Sequence, residues 1–264
     1  MPEGDTIYRA ARRLNAALAG QTLVSSDVRV PQFATVQLGG QVIHNVASRG
    51  KHLLMRVGET TIHSHLKMEG AWLVYTPGER WRRPAYEARI VLNTETNQAV
   101  GFALGILELL PTAEEESVVG YLGPDLLGPD WDSAEAQRRL EAQGERPIGI
   151  ALLDQRIMAG LGNVYRSEIC FLRGVLPTRP TSETPDLPAW IDLSRRTIMA
   201  NKDRSERIFT GNARPGQQKW VYGRAGKPCR RCGTSIRMDW LGDPVVSGNG
   251  STDREVFWCP TCQR

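Results

Sequence analysis

From Asp5 onward, Ile7, Ala11, Leu14 and Leu18 recur at helical spacing, and Gly20 is placed to stop the helix. The period then shortens. Val28–Val30, Gln41–Val46, Leu53–Val57, Trp72–Tyr75, Arg89–Leu92 and Val100–Ala103 are short apolar stretches bounded by turn residues, and they predict a mainly antiparallel β-sandwich. From about Trp131 helical spacing returns. Ser133 is expected to cap a helix over Ala134–Gln143, and Pro147 suits the first position of another running through Leu153. The turn Ala159-Gly160-Leu161-Gly162-Asn163 leads into a helix over Val164–Leu172. Four prolines make Pro177–Pro188 a connector, and a longer helix is expected over Ala189–Asn201. No internal repeat is visible. The pattern predicts an α+β multidomain chain: a β-sandwich with an N-terminal helix over residues 2–126, a helical domain over 131–220, and a C-terminal module over 222–264.

Composition and charge narrow the class. With 264 residues, 41% of them hydrophobic, the chain can bury a full core in two or three units. Glu3, Asp5, Arg9, Arg12 and Arg13 interrupt the start, which argues against a signal peptide, and no run of 18 apolar residues exists to span a membrane. A cytosolic location is therefore expected. The net charge of +4 is modest but unevenly spread. Eleven basic residues lie between Arg195 and Arg231, opposed only by Asp203 and Glu206, a distribution suited to a polyanion such as nucleic acid.

The cysteines carry the strongest local signal. Cys229 and Cys232, then Cys259 and Cys262, form two Cys-x-x-Cys pairs, each able to grip one ion from a tight turn, and two pairs complete a tetrahedral four-thiolate zinc shell. The 26 intervening residues exceed the usual spacing and predict a long β-hairpin between the pairs. Two disulfides or four ordinary thiols are the alternative, disfavoured because nothing points to an oxidising compartment. Cys170, between Ile169 and Phe171, reads as a buried small hydrophobe.

Three places could support chemistry. Pro2 becomes a free secondary amine if Met1 is removed; such an amine attacks aldehyde-like carbon and forms an iminium. An α-amino group titrates near pH 8 (about 7.7–8.0), and a helix starting near Asp5 disfavours the ammonium form. Glu3 beside it can act as the acid partner. Lys51 follows Gly50 at an expected hairpin tip, where a lysine can be presented to a cleft or simply to water. Ala159–Asn163, at a helix start, offers free backbone N–H groups and an amide for a phosphate, with a plain helix cap by Asn163 as the alternative.

Taken together, these segments resemble the formamidopyrimidine-DNA glycosylase and endonuclease VIII family. The matching motifs occur in order along the whole chain: Pro2-Glu3-Gly4, Ser48-Arg49-Gly50-Lys51, His65-Leu66-Lys67-Met68-Glu69-Gly70, Leu152–Gln155 through Asn163–Glu168, and Trp258–Gln263. The Pro-Glu-Gly start and the Trp before Cys259 are more similar to the endonuclease VIII branch, its actinobacterial members in particular. The resemblance implies a helix–two-turn–helix in the helical domain and a four-cysteine β-hairpin zinc finger holding one structural zinc. It implies a bifunctional DNA glycosylase and abasic-site lyase for oxidised pyrimidines, acting in base excision repair by β,δ-elimination. Pro2 would be the nucleophile at the sugar C1′, Glu3 would handle protons, and Lys51 would contact phosphate and assist elimination. Asn163 would hold the phosphate beside the lesion and Arg254 a second phosphate. Met68, with Lys67 before it, would fill the gap left by the flipped base. Damaged double-stranded DNA would be the partner of a monomeric, nucleoid-associated bacterial protein, with no membrane and no nucleotide cofactor.

Two departures stand out. Thr6 occupies a position where many relatives have glutamate, and Lys67-Met68-Glu69 replaces the Gln-Leu-Tyr of enterobacterial endonuclease VIII. The purine-directed branch of the family is the alternative activity. From other classes, a catalytically inactive damaged-DNA-binding protein is disfavoured because Pro2, Glu3 and Lys51 are all present. A tautomerase using Pro2 as a base would need neither the cysteines nor the basic stretch.

Overall fold

A computed structural model describes residues 2–243 and 253–264. The chain forms two compact units, residues 1–121 and 122–264.

The N-terminal unit opens with α1 (Gly4–Leu18), whose buried face is the predicted row Ile7, Ala11, Leu14 and Leu18. It ends as expected: Gly20 adopts φ +80°, a left-handed value that glycine takes without steric cost. The strands β1 (Ser25–Val28), β2 (Ile43–Arg49), β3 (His52–Val57), β4 (Thr60–His65), β5 (Ala71–Tyr75), β6 (Ala88–Asn93), β7 (Gln98–Phe102) and β8 (Ile106–Pro111) follow, then a one-turn helix α2 (Glu116–Val119). They make two four-stranded antiparallel sheets, ordered β1-β6-β7-β5 and β2-β3-β4-β8. Helix α1 packs on β2 and β3 of one sheet and on β5 of the other. Leu14, Leu18, Ile43, Leu53, Ile90 and Leu92 belong to the core they share.

This is the expected sandwich with its N-terminal helix, but two strands carried no clear signal. In β4, Thr61, His63 and Ser64 are buried alongside Ile62, so polar residues fill inward positions and the alternation that marks a half-buried strand is lost. Strand β8 reads Ile-Leu-Glu-Leu-Leu-Pro, with no period of two.

The C-terminal unit contains α3 (Ser133–Glu141), α4 (Ile148–Ala151), α5 (Asn163–Arg173), α6 (Leu187–Asn201) and the antiparallel pair β9 (Arg237–Leu241) and β10 (Arg254–Trp258). The segment up to Leu126, read from sequence as the end of the sandwich, runs with this unit; Leu126 is fully buried in the core formed by α3 to α6. The cap of α3 is Asp132, whose carboxylate accepts from the N–H groups of Ala134 and Glu135; Ser133 is already helical. An aspartate serves the same orphan donors as a serine and adds a favourable charge at the helix start. Strands β9 and β10 are the expected hairpin between the cysteine pairs, and its tip lies outside the described residues. Phe257 and Cys259 pack with Phe171 of α5, which seats the hairpin on that helix.

Candidate active site

In the N-terminal unit, Pro2 is half-buried immediately ahead of α1. Glu3 is fully buried in the N-cap position, and its carbonyl accepts from Thr6 N (2.9 Å) and Ile7 N (3.1 Å). The first turn therefore begins directly beside Pro2, with its partial positive charge towards that residue. The expected removal of Met1 concerns a residue outside the described ones.

Lys51 sits where expected, in the two-residue turn closed by the Arg49–His52 pair of β2 and β3; Gly50 takes φ +57°, as the first central residue of such hairpins requires. Lys67 and Met68 lie in the loop between β4 and β5. Lys67 is itself left-handed at φ 51° and its N–H donates to His65 Nδ1 (2.9 Å), while Met68 is 63% exposed. An exposed methionine on a tight loop is an apolar group held out of the core, which is the property a wedge needs.

Beneath the two lysines lies a group that motif reading missed. The sheet register sets His52 opposite His65, and His63 opposite Glu108. His52 Nδ1 lies 2.8 Å from His63 Nε2, His52 Nε2 lies 3.0 Å from the Tyr121 hydroxyl, and His63 Nδ1 lies 2.9 Å from Glu108 Oε2. Burial pushes His52 down to about 3, and His63, His65, Lys67 and Lys51 add to the fall. Burial likewise lowers His65 to about 4, with Lys67, Lys51 and His63 contributing. Both imidazoles are thus neutral near pH 7, and both lysine ammoniums are close enough to act on them. The clue was three histidines within fourteen residues, two of them at alternate positions of one strand.

Neutral burial has a stability consequence. A histidine whose folded pKa lies below its unfolded value of 6.5 binds more protons unfolded than folded in the interval between them, so stability is complete above 6.5 and is lost as the pH falls. The thermal midpoint of the N-terminal unit is expected to drop progressively between pH 6.5 and about 4, and a His52→Gln/His65→Gln variant is expected to show a flatter pH dependence. Differential scanning across that range checks both.

In the C-terminal unit, Gln155 shapes the turn before α5: its amide donates to the carbonyls of Leu153 (2.7 Å) and Leu161 (3.0 Å) and accepts from Gly160 N (3.0 Å). Gly162 occupies the cap position and Asn163 is the first helical residue, so Asn163 is not the simple cap. Its Nδ2 donates to the Glu255 carbonyl (2.6 Å) and its Oδ1 accepts from Arg166. Arg166, fully buried, also donates to the carbonyls of Leu241 (3.2 Å), Arg254 (3.1 Å) and Glu255 (2.9 Å). One guanidinium thereby joins Asn163 to both strands of the hairpin and fixes the backbone of the exposed Arg254. Glu168, also buried, accepts from the N–H groups of Trp220, Val221 and Tyr222 (2.8–2.9 Å); burial raises its pKa and those three donors pull against the rise. Sequence reading gave Arg166 and Glu168 no role, because, Asn163 apart, the partners that define them lie more than fifty residues away.

The four cysteines Cys229, Cys232, Cys259 and Cys262 converge, their sulfurs all within 4.8 Å of one another and positioned to hold a metal ion. The separations Cys232–Cys259 (3.4 Å) and Cys229–Cys262 (4.0 Å) are too long for disulfides and bracket the roughly 3.8 Å edge of a tetrahedral thiolate shell with bonds of about 2.3 Å. Cys170 is fully buried, which pushes its thiol up to about 12, and it remains an inert core residue.

Two family patterns match in order: that described as "Formamidopyrimidine-DNA glycosylase N-terminal domain" over residues 1–103, and "Formamidopyrimidine-DNA glycosylase H2TH domain" over residues 122–186. A Streptomyces coelicolor protein named "Probable endonuclease 8 2" is 53% identical over 267 residues, covering 100% of this chain and 94% of that protein. This chain belongs to the formamidopyrimidine-DNA glycosylase and endonuclease VIII family. A second relative, from Mycolicibacterium smegmatis and named "DNA-(apurinic or apyrimidinic site) lyase Nei2", is 50% identical across 100% of this chain and 99% of its own length. The fold is shared with solved members of the family: the Lactococcus lactis Fpg in complex with abasic-site DNA superposes with a TM-score of 0.81 at 22% identity, with full coverage of both chains. Among the described residues no helix is long and apolar enough to cross a membrane.

Proposed function

We propose that this protein is a bifunctional DNA glycosylase and abasic-site lyase of base excision repair that removes oxidised pyrimidines from duplex DNA. The observation that carries the reading is the conjunction of Pro2 and a buried Glu3 at the start of α1 with full-length relatives, half or more identical, named endonuclease 8 and abasic-site lyase. With Met1 removed, the Pro2 nitrogen attacks C1′ of the damaged nucleotide, the base departs, and Glu3 manages the proton exchanged as the sugar opens and the iminium forms. Loss of a C2′ proton expels the 3′ phosphate, a second elimination expels the 5′ phosphate, and a single-nucleotide gap with phosphate at both ends remains. Lys51 holds phosphate and assists elimination; Asn163 and Arg254, joined through Arg166, hold the backbone beside the lesion; Lys67 and Met68 face the gap left by the flipped base.

The metal reading is Zn2+, one ion held by Cys229, Cys232, Cys259 and Cys262, and its contribution is structural: it closes the hairpin that carries Arg254. The protein is proposed to act as a monomer in the bacterial cytoplasm, on the nucleoid. The test is a panel of duplexes carrying thymine glycol, dihydrouracil, 8-oxoguanine or an abasic site, assayed for base release and nicking. Preferential release of the two pyrimidine lesions is the expected result; preference for 8-oxoguanine would assign the purine-directed activity instead, and absence of nicking on abasic DNA would overturn the enzyme. Lys51→Ala is expected to slow strand cleavage by about a hundredfold, the scale on which a proton-transfer or phosphate-orienting group acts, as read by single-turnover nicking.

A further inference from the structure

We propose that Arg83 is a positioning residue for Met68: it holds the Leu66–Gly70 turn in the conformation that keeps that side chain out of the core and ready for insertion. The inference deepens the reading above, in which Met68 faces the gap left by the flipped base, and rests on it. The turn is closed at its base. Gly70 N donates to the Leu66 carbonyl (2.9 Å), and a Cβ at Gly70 would lie 2.5 Å from that same oxygen, so only glycine fits. Lys67 sits inside the turn at φ 51°, a conformation that a lysine keeps only where its surroundings impose it.

Two contacts impose it from the side of β4 and β8. Lys67 N–H donates to His65 Nδ1 (2.9 Å), and the His65 ring packs edge-on against His52 with centroids 5.1 Å apart. Gly105, whose N–H donates to the His65 carbonyl (3.0 Å), leaves the space that Lys67 fills: a Cβ there would overlap Lys67 Cβ and Cγ. At the other end of the turn, Arg83 reaches in from the segment between β5 and β6, and its Nη1 donates to the Glu69 carbonyl (2.8 Å). The guanidinium is itself fixed. Its Nε donates to Glu87 Oε2 (2.7 Å), its Nη2 pairs with the same oxygen, and its Cζ lies 5.7 Å from the centroid of the buried Phe102 ring. The Glu87 carbonyl in turn accepts from Ala103 N (2.8 Å), and Ala103 is left-handed at φ 45°. Two of the three described non-glycine residues with positive φ, Lys67 and Ala103, thus belong to this one corner.

Backbone strain held in place by its surroundings marks a site where geometry matters more than stability. A wedge is such a site. It must already stand out when the base leaves, because ordering it at that moment costs conformational entropy. Methionine is a flexible side chain, so the backbone beneath it has to supply the rigidity. A guanidinium suits that task, since its planar donors join the Glu69 carbonyl and the Glu87 carboxylate at once.

A duplex with 2-aminopurine opposite a tetrahydrofuran abasic analogue, which cannot form an imine with Pro2, reads the wedge without chemistry. Saturating wild-type protein is expected to shift the 2-aminopurine fluorescence, and Met68→Ala to lose most of that shift. Arg83→Ala is expected to lose at least about half of it and to slow single-turnover nicking of an abasic duplex about tenfold, the scale of one lost hydrogen bond to a charged group. In a Met68→Ala background the same substitution is expected to cost less than about twofold, because a residue that acts through Met68 then has nothing left to position. Arg83→Lys, which keeps the charge but cannot serve Glu69 and Glu87 together, is expected to fall between, and Gly105→Ala, which presses on Lys67, to lower the shift as well. A wild-type signal in Arg83→Ala, or a full tenfold loss on top of Met68→Ala, would overturn the inference. Should Arg83→Ala not fold, a full wild-type signal in Arg83→Lys overturns it instead. Failure of the underlying reading shows separately, before any Arg83 variant is compared, as wild-type protein that does not nick abasic DNA or as Met68→Ala that keeps the whole shift.

Discussion

Extending the chain by one residue ahead of Pro2, so that the ring nitrogen becomes an amide, is expected to abolish borohydride trapping on abasic DNA and to reduce nicking by at least about a thousandfold. Losses of that size follow removal of a nucleophile in other covalent enzymes. An amide nitrogen has its lone pair in the peptide resonance and cannot attack C1′, whereas the free pyrrolidine nitrogen both attacks and yields a cation without a second deprotonation. Pro2→Gly is the gentler companion, since a primary amine survives, and it should trap more weakly than the parent. The position supports the assignment twice over. The amine sits at the positive end of α1, which favours its neutral form at pH 7, and Glu3 is buried at the cap, out of bulk water, where a carboxyl exchanges protons with a bound sugar in preference to solvent. Equal trapping by the extended protein would remove Pro2 from the mechanism. Unchanged DNA affinity in the same variant, measured by fluorescence anisotropy, would show that only the chemistry has been lost.

Features that depend on neighbours along the chain were legible. The i, i+3/i+4 row from Ile7 to Leu18 placed α1, the two Cys-x-x-Cys pairs placed the metal-competent corner, and Gly50-Lys51 placed the β2–β3 turn, because each is set by a few adjacent residues. What escaped depends on register. His63 lies forty-five residues before Glu108, and only the β4–β8 ladder brings them to 2.9 Å; nothing local marks either as a partner. Strand β4 was missed for the same reason, since its inward polar residues break the alternation yet are satisfied by partners far along the chain, as when Thr61 donates to Glu115, just ahead of α2, at 2.5 Å. Arg166 shows the limit most clearly. The sequence places it in the Asn163–Glu168 motif without a role, and only the returning hairpin makes it a buried clamp on the backbone of Leu241, Arg254 and Glu255. The motif named Asn163, but the residue that orients Asn163 became visible only in three dimensions.

The same clamp makes the metal corner the second site of large expected effect. The hairpin rests on α5 through a small cluster built from Phe171, Val221, Ile236 and Phe257, too few apolar groups to hold an independent fold. A thiolate-bound zinc typically supplies about 10–16 kcal/mol of apparent folding energy to a unit of this size, far above what such a cluster contributes. Removing the ion is therefore expected to release β9 and β10, and with them the carbonyls that Arg166 grips. A buried guanidinium stripped of its acceptors costs several kcal/mol, so disorder should spread to Asn163 at the start of α5. Cys232→Ser is the cleanest variant, because Cys232 is the exposed member of the four and its replacement leaves no core cavity. It is expected to bind metal poorly and to lose at least about tenfold in affinity for abasic duplex, the scale of two or more phosphate contacts. Chelation of the wild-type protein should reproduce the loss and added zinc should reverse it, while the same zinc leaves Cys232→Ser unrestored. The cysteine corner would be irrelevant to DNA binding if Cys232→Ser, shown metal-free by elemental analysis, held abasic DNA as tightly as the parent.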